Sequence, residues 1–425
     1  MLPAVPRVSA VPVVRVVLAT EDDTTPEPST RRGLRITRQR ISFTDGGGGA
    51  SKLASLGIDE GAAATVIAAE QRWGAVAPRI AELEDLEVSL VPAPHVGQTQ
   101  VRFSDEAGGW DVATEAVADT VLGMITRRQL ERERRHPRLH GGAVVDDRQR
   151  AVLVLGPPGA GKSTLIAHLA RGRHLLNDEQ LAVYAEAGLV GGFTRPAAVK
   201  PGGSHSFPHL APPLDPDATH TQLVTAAQLG SAHRLLGRPR LIALAHRGTE
   251  GSARHELLTA PAALDALCAN NLDLVDRPIA ALEAFAWLAA TVPVVRVRYV
   301  EASDAARLVH ALLDDPPPAP GCPWDLVDHG AGPPAADSEV VPARATISVS
   351  LGADVVVFHR WSRALATLSP AGSAQWKVLS GPRPNGVDLD DPAVQELVMQ
   401  GFAAAGEGAR GGSSGVVNSP DPGAT

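Results

Sequence analysis

Residues Gly156-Pro157-Pro158-Gly159-Ala160-Gly161-Lys162-Ser163 satisfy every fixed position of the G-x-x-x-x-G-K-[ST] spacing. Glycine at these places lets backbone N–H groups converge on phosphate oxygens, and a helix beginning at Lys162 adds its positive end to the same point. The Lys162 ammonium would reach the outer phosphates, the Ser163 hydroxyl would ligate Mg²⁺, and Thr164 joins residues 156–163 in the expected nucleotide-binding set. The chemistry is a grip on ATP or another nucleoside triphosphate. A second cluster follows, Asp178-Glu179. Two adjacent carboxylates can divide two tasks, one holding Mg²⁺ and the other orienting or deprotonating an attacking hydroxyl. By spacing alone, an acidic turn or helix cap explains them equally well.

These residues need strand–loop–helix surroundings, and the chain supplies them. GGAVV and AVLVL read as strands joined across DDRQ, the second running straight into the glycine loop. Leu165, Ile166 and Leu169 then form one face of a helix, and the strand HLL leads to Asn177-Asp178-Glu179 and the strand LAVY. Further on come LIALAH, a helix from Pro278 capped by Asp276, the strand PVVRVRYV, and a helix over about Asp304–Leu313. Strands alternating with helices define an α/β domain. A guanine-reading N-K-x-D is absent. The late strands end in His246 or Glu301, not in the acid a motor or transporter ATPase would place there.

The order His140-Gly141, phosphate loop, then ARGRHLLNDEQLAVY resembles the catalytic domain of the HPr kinase/phosphorylase family, in particular its shorter members associated with peptide modification. The resemblance covers about Val101–Leu313. It implies an α/β, phosphoenolpyruvate-carboxykinase-like P-loop fold and phosphate transfer to a serine hydroxyl. It also assigns Asp178 as catalytic base and His140 as a helper beside it, with Lys162 stabilising the transferred charge. Ser163 and Glu179 would hold the metal, with Glu186 a weaker alternative to Glu179. The family's later signature does not match GLVGGFTRPAAVKPGGSHSFPHL, where Arg195 and Lys200 remain as candidate phosphate or substrate contacts.

The C-terminal stretch resembles PqqD-like winged-helix modules, small α+β domains that bind the leader of a precursor peptide by strand addition. VVVFHRWSRALATL would be its hairpin and LSPAGSAQWKVLSG its helix, with Ser369 and Pro370 at N-cap and N1. A second helix opens at Asp391-Pro392 and puts Val394, Leu397, Val398 and Gly401 on one face, while Trp376 shares a core face with Gly372 and Leu379.

Residues 1–95 read as a weakly ordered region with a helix near Ala63–Leu86. Residues 96–313 read as the P-loop domain, opening on the strand TQVRF and a helix VADTVLGMITRRQLERERR. Residues 314–339 read as a Pro-rich linker, 340–405 as the PqqD-like domain and 406–425 as a disordered tail.

Composition narrows the partners. The 47 acidic residues exceed the 39 basic ones, giving a net charge of −8, which argues against a general nucleic-acid grip. No apolar run approaches a membrane span, and two isolated cysteines suit a reducing cytoplasm. His205 and His209 stand i, i+4, but Pro208 breaks the helix such a metal pair would need. Together these readings describe an ATP- and Mg²⁺-dependent kinase acting on a ribosomally made precursor peptide, with the leader segment and other peptide-maturation enzymes as expected partners. The alternatives are a nucleotide-dependent peptide scaffold or chaperone, and a kinase for a small hydroxylated molecule.

Overall fold

The structure, a computed structural model, describes residues 136–192, 197–201, 203–210, 213–219, 221–224, 226–234, 236–330, 345–380 and 391–405, and the backbone of strands at 14–18, 32–37, 40–44, 86–92, 98–103, 109–113 and 340–342. The helices expected near Ala63–Leu86 and over 117–135, Arg195, and the tail 406–425 lie outside the described residues. The chain divides into two compact units, one of Met1–Thr259 with Ala266–Pro320 and the other of Ala260–Asp265 with Gly321–Thr425.

In the first unit, β1 (Val14–Leu18), β2 (Arg32–Thr37), β3 (Arg40–Thr44), β4 (Leu86–Pro92), β5 (Gln98–Phe103) and β6 (Gly109–Ala113) form a sheet of order β3-β2-β1-β4-β5-β6. Only β1 and β4 run parallel. The sequence reading gave residues 1–95 no strands. Segments of five to seven residues such as VRVVL and RISFT are too short to announce a sheet by periodicity.

The second sheet contains β7 (Arg138–Val145), β8 (Arg150–Leu155), β9 (His174–Asn177), β10 (Gln180–Tyr184), β11 (Leu189–Gly191), β14 (Leu236–Arg247), β15 (Arg254–Leu257) and β16 (Val294–Tyr299). Between them, β12 (Ala197–Val199) and β13 (Gln222–Val224) make a separate ribbon. The long path is β11-β10-β7-β8-β14-β16-β15, with β9 also paired to β7. Strands β8, β14 and β16 are mutually parallel; β7, β9, β10 and β15 run against their neighbours. This is a mixed α/β sheet with parallel strands at its centre, the α/β class expected for this region. Strands buried on both faces should read as apolar runs, and VLVL, LIALA and VV do.

Helices described in this part of the chain are α1 (Lys162–Ala170), α2 (Ala260–Ala269), whose first six residues belong to the second unit, α3 (Pro278–Thr291) and α4 (Ala302–Asp314). Leu165, Ile166 and Leu169 of α1 join Val154, Leu241 and Val297 of the sheet in one core, together with Val309 and Leu313 of α4. The buried positions of α4 repeat every three or four residues, the period of a one-faced helix. Contrary to the sequence reading, Asp276 does not cap α3. The N-cap is Arg277, without a side-chain cap bond, and Pro278 supplies the preset φ of the first turn.

The second unit contains β17 (Trp324–Asp328), β18 (Val340–Pro342), β19 (Thr346–Leu351), β20 (Asp354–His359), β21 (Leu365–Thr367), β22 (Ala403–Ala405), α5 (Pro370–Leu379) and α6 (Pro392–Met399). An antiparallel sheet of order β17-β19-β20-β21 stands with the pair β18–β22. Strand β17 lies inside the stretch read as linker, because five residues alternating beside many prolines were masked by the composition around them. The hairpin β19–β20 turns through Gly352 at φ 63°.

Ser369 Oγ accepts from Gly372 N–H, and the Asp391 carboxylate accepts from Ala393 N–H, so both helices carry the caps their sequences promise. Trp376 is buried with Val355, Val357, Leu379, Val394, Leu397 and Phe402. Val398 and Gly401 do not share that face. Val398 is half-exposed, and Gly401 takes φ 75° to end α6 while Phe402 N–H bonds back to Leu397 O. The unit is α+β by its elements.

Candidate active site

The loop Gly156–Gly161 leaves the C-terminal end of β8 and enters α1. Gly156, Gly159 and Gly161 have φ of 144°, 82° and 82°, which L side chains rarely adopt. Space is also short. A Cβ on Gly156 would stand 2.7 Å from Ala245 O, and one on Gly161 would stand 2.7 Å from the Tyr299 hydroxyl. That hydroxyl donates to Ala160 O at 2.7 Å, and burial pushes its pKa up to about 12, so it remains a donor. Pro157, Pro158 and Gly159 face outward while Ala160 is buried. The Lys162 ammonium donates to Gly156 O (2.8 Å) and Pro157 O (3.2 Å).

The carboxylates are placed by a turn. Asn177 is fully buried, and its Oδ1 accepts from the N–H groups of Glu179 (2.6 Å) and Gln180 (2.9 Å). The turn brings Asp178 inside, only 4% exposed, with Oδ2 accepting from Ala198 N–H of β12 at 2.7 Å. Glu179 is part-exposed, and its Oε1 lies 3.9 Å from His140 Nδ1. Gln180 and His140 are directly paired across β10 and β7, and Gly141 N–H donates to Glu179 O.

Electrostatics joins the loop to the acids. Burial lowers the Lys162 pKa, opposed first by the charge of Asp178 and then of Glu179, with Lys200 adding to the lowering. His140 is lowered by burial and then by Lys162, against the pull of Glu179, so it is neutral at neutral pH. Lys162 thus feels the charges of Asp178 and Glu179, and His140 those of Lys162 and Glu179. Lys200, exposed at the end of β12, acts on both His140 and Lys162. A Cβ on Gly203 would lie 3.1 Å from Lys200 O and 3.7 Å from Thr164 Oγ1, so this segment runs beside the first turn of α1.

Glu186 is not brought in. It sits in a 3₁₀ turn past Tyr184, at the far end of β10 from Glu179. Among the described residues, no three His, Cys, Asp or Glu side chains converge as metal ligands. Mg²⁺ carried by a nucleotide draws most ligands from phosphate and water and needs only a hydroxyl and a carboxylate from protein. The hydroxyl of Ser163 and the Asp178-Glu179 pair fit that requirement. His205 is exposed, and the His209 ring stands 6.4 Å from Phe207, which in turn stacks on His168.

Three participants carried no sequence signal. Asn270 Oδ1 accepts from Gly156 N–H, Tyr299 supports Ala160, and Arg247, the last residue of β14, has its Cδ 3.8 Å from a Cβ built on Gly161. All are distant in sequence from the loop, and only the parallel register of β8, β14 and β16 brings Arg247 and Tyr299 to its edge.

No protein-family profile and no curated protein sequence matches the chain. Among solved structures it is similar to the Hpr(Ser) kinase/phosphatase from Coxiella burnetii, at 15% identity over 42% of this chain and 94% of that one, with a TM-score of 0.23. Among the described residues no helix is long and apolar enough to cross a membrane.

Proposed function

We propose that the protein is a kinase that transfers the terminal phosphate of ATP, or a related nucleotide, to a hydroxyl, with serine of a ribosomally made precursor peptide as acceptor. One observation carries this reading: the buried Asp178 carboxylate, anchored through one oxygen by Ala198 N–H, lies within the electrostatic reach of the loop lysine Lys162. A motor or transporter ATPase carries its acid at the end of a later strand; here the buried carboxylate follows the first strand after the loop helix, where it can take the proton of an acceptor hydroxyl.

In this scheme the acceptor oxygen forms a bond to the terminal phosphorus as the bond to the bridging oxygen breaks, and the nucleoside diphosphate leaves. Asp178 receives the hydroxyl proton. Lys162 and the loop amides offset negative charge on the transferred group and the leaving phosphate. Ser163 and Glu179 would hold Mg²⁺, which when bound with nucleotide neutralises phosphate charge. His140, neutral beside Glu179, keeps a ring nitrogen available to the acceptor or the carboxylate. Lys200, and Arg195 in the same segment, offer positive charge for substrate.

The C-terminal unit recruits the peptide in this reading. Among the described residues, strand β21 pairs only with β20 and ends its sheet, an edge on which an extended leader could add as a strand. Tethering the acceptor this way raises its effective concentration at the kinase. Incubating the protein with Mg·ATP and any short precursor peptide found encoded beside its gene tests the reading. A phosphopeptide in the mass spectrum supports it; tight peptide binding without phosphate incorporation leaves a scaffold instead.

A further inference from the structure

We infer that Asn270, a residue outside every motif, is the positioning residue that holds the phosphate loop in register with the strand bearing His140. The inference rests on the kinase reading above. Asn270 terminates α2, where its N–H donates to Leu267 O and its Nδ2 to Ala266 O at 2.8 Å. These bonds fix the side-chain amide so that Oδ1 faces outward, and there it accepts the Gly156 N–H at 3.0 Å. The main-chain carbonyl of the same residue accepts the His140 N–H at 2.7 Å.

Each bond lands on a site element. Gly156 passes the constraint to Lys162, whose ammonium binds the Gly156 carbonyl at 2.8 Å. On the other side, Gly141 N–H, next to His140, binds Glu179 O at 3.0 Å. One residue therefore anchors both the cation that grips phosphate and the strand beside the carboxylates. Gly156 has little freedom to find another position, since Ala245 O already closes its far side. The Gly156 N–H is spent on Asn270, so the contact governs where the loop sits and adds no donor to the phosphate.

The test compares full-length wild type with Asn270→Ala and Asn270→Asp. Asp keeps an acceptor for Gly156 N–H and loses the donor to Ala266 O; Ala loses both; each keeps the main-chain bond to His140. Because a displacement of about 1 Å costs on the order of 100-fold in rate, kcat in Asn270→Ala should fall about 10- to 100-fold, while the Kd for Mg·ATP changes less than about threefold. Asn270→Asp should recover most of the loss. Hydrogen exchange should show Gly156 N–H protected in wild type and exposed in Asn270→Ala. Wild-type kcat with wild-type exchange in Asn270→Ala overturns the inference, as does an equal kcat loss in both variants. If Asn270→Ala does not fold, Asn270→Ser takes its place under the same criteria. If wild type turns over no acceptor, the kinase reading fails, and the exchange of Gly156 N–H alone still decides whether Asn270 anchors the loop.

Discussion

Gly142 lies flat against the backbone of Asp178: a Cβ on Gly142 would stand 2.8 Å from Asp178 Cα, 2.5 Å from Asn177 O and 2.4 Å from Ile166 Cδ1. The absent side chain lets β7, the α1 core and the carboxylate turn meet at one point. Gly142→Ala must therefore move backbone. We expect roughly 1–3 kcal/mol of destabilisation, the usual cost of overpacking, and a loss of transfer about tenfold larger than any loss of nucleotide affinity. Thermal melts and steady-state kinetics on one preparation check both.

Lys162 makes a prediction in two independent observables. Loss of a charge-assisted contact costs about 1.5–3 kcal/mol, so Lys162→Ala should weaken Mg·ATP binding about 10- to 100-fold in calorimetry. His140 is lowered by burial and next by the Lys162 charge. Removing that charge should raise the His140 pKa, visible as a later midpoint when its ring protons are titrated by NMR.

Stability should fall as pH drops, and one histidine reports from each unit. Burial lowers the pKa of His168 in the first unit and His329 in the second, each from 6.5 to about 4. Between those values the unfolded chain binds a proton that the native protein refuses, so unfolding becomes easier as pH falls through that window and the stability is fully present above it. Melting temperature should drop as pH falls from about 6.5 to about 4. His168→Gln should flatten the dependence for the first unit and leave the second unit's unchanged.

Trp376 is the largest fully buried side chain in the second unit, with His329 edge-on at 5.3 Å. Trp376→Ala should destabilise that unit by about 3–5 kcal/mol. Differential scanning calorimetry should show the unit's transition lowered, with nucleotide affinity unaltered in the folded protein.

The local signals in the sequence held where neighbours in the chain decide structure. The strand–loop–helix around Gly156, the strands at His174–Asn177 and Gln180–Tyr184, and the caps at Ser369 and Asp391 depend on residues a few positions apart. What could not be read was set by pairing across distance. Asn270 and Tyr299 reach the loop only after the sheet forms, and Gly142 matters only because Asp178 folds back upon it. The cap of α3 and the β17 strand misled for a different reason: an acid beside a proline and a proline-rich composition are compatible with several structures. Of the site itself, Lys162, Asp178, Glu179 and His140 were legible as types in order. Their convergence belongs to the fold.

The most direct test of the central claim compares wild type and Asp178→Asn in a single-turnover assay with γ-labelled ATP, Mg²⁺ and the precursor peptide. The kinase account predicts that wild type labels the peptide on serine. Asp178→Asn should bind ATP with nearly wild-type affinity and transfer on the order of 100- to 10,000-fold more slowly, the contribution expected of a general base. Label on the peptide at the wild-type rate with Asp178→Asn would contradict the account.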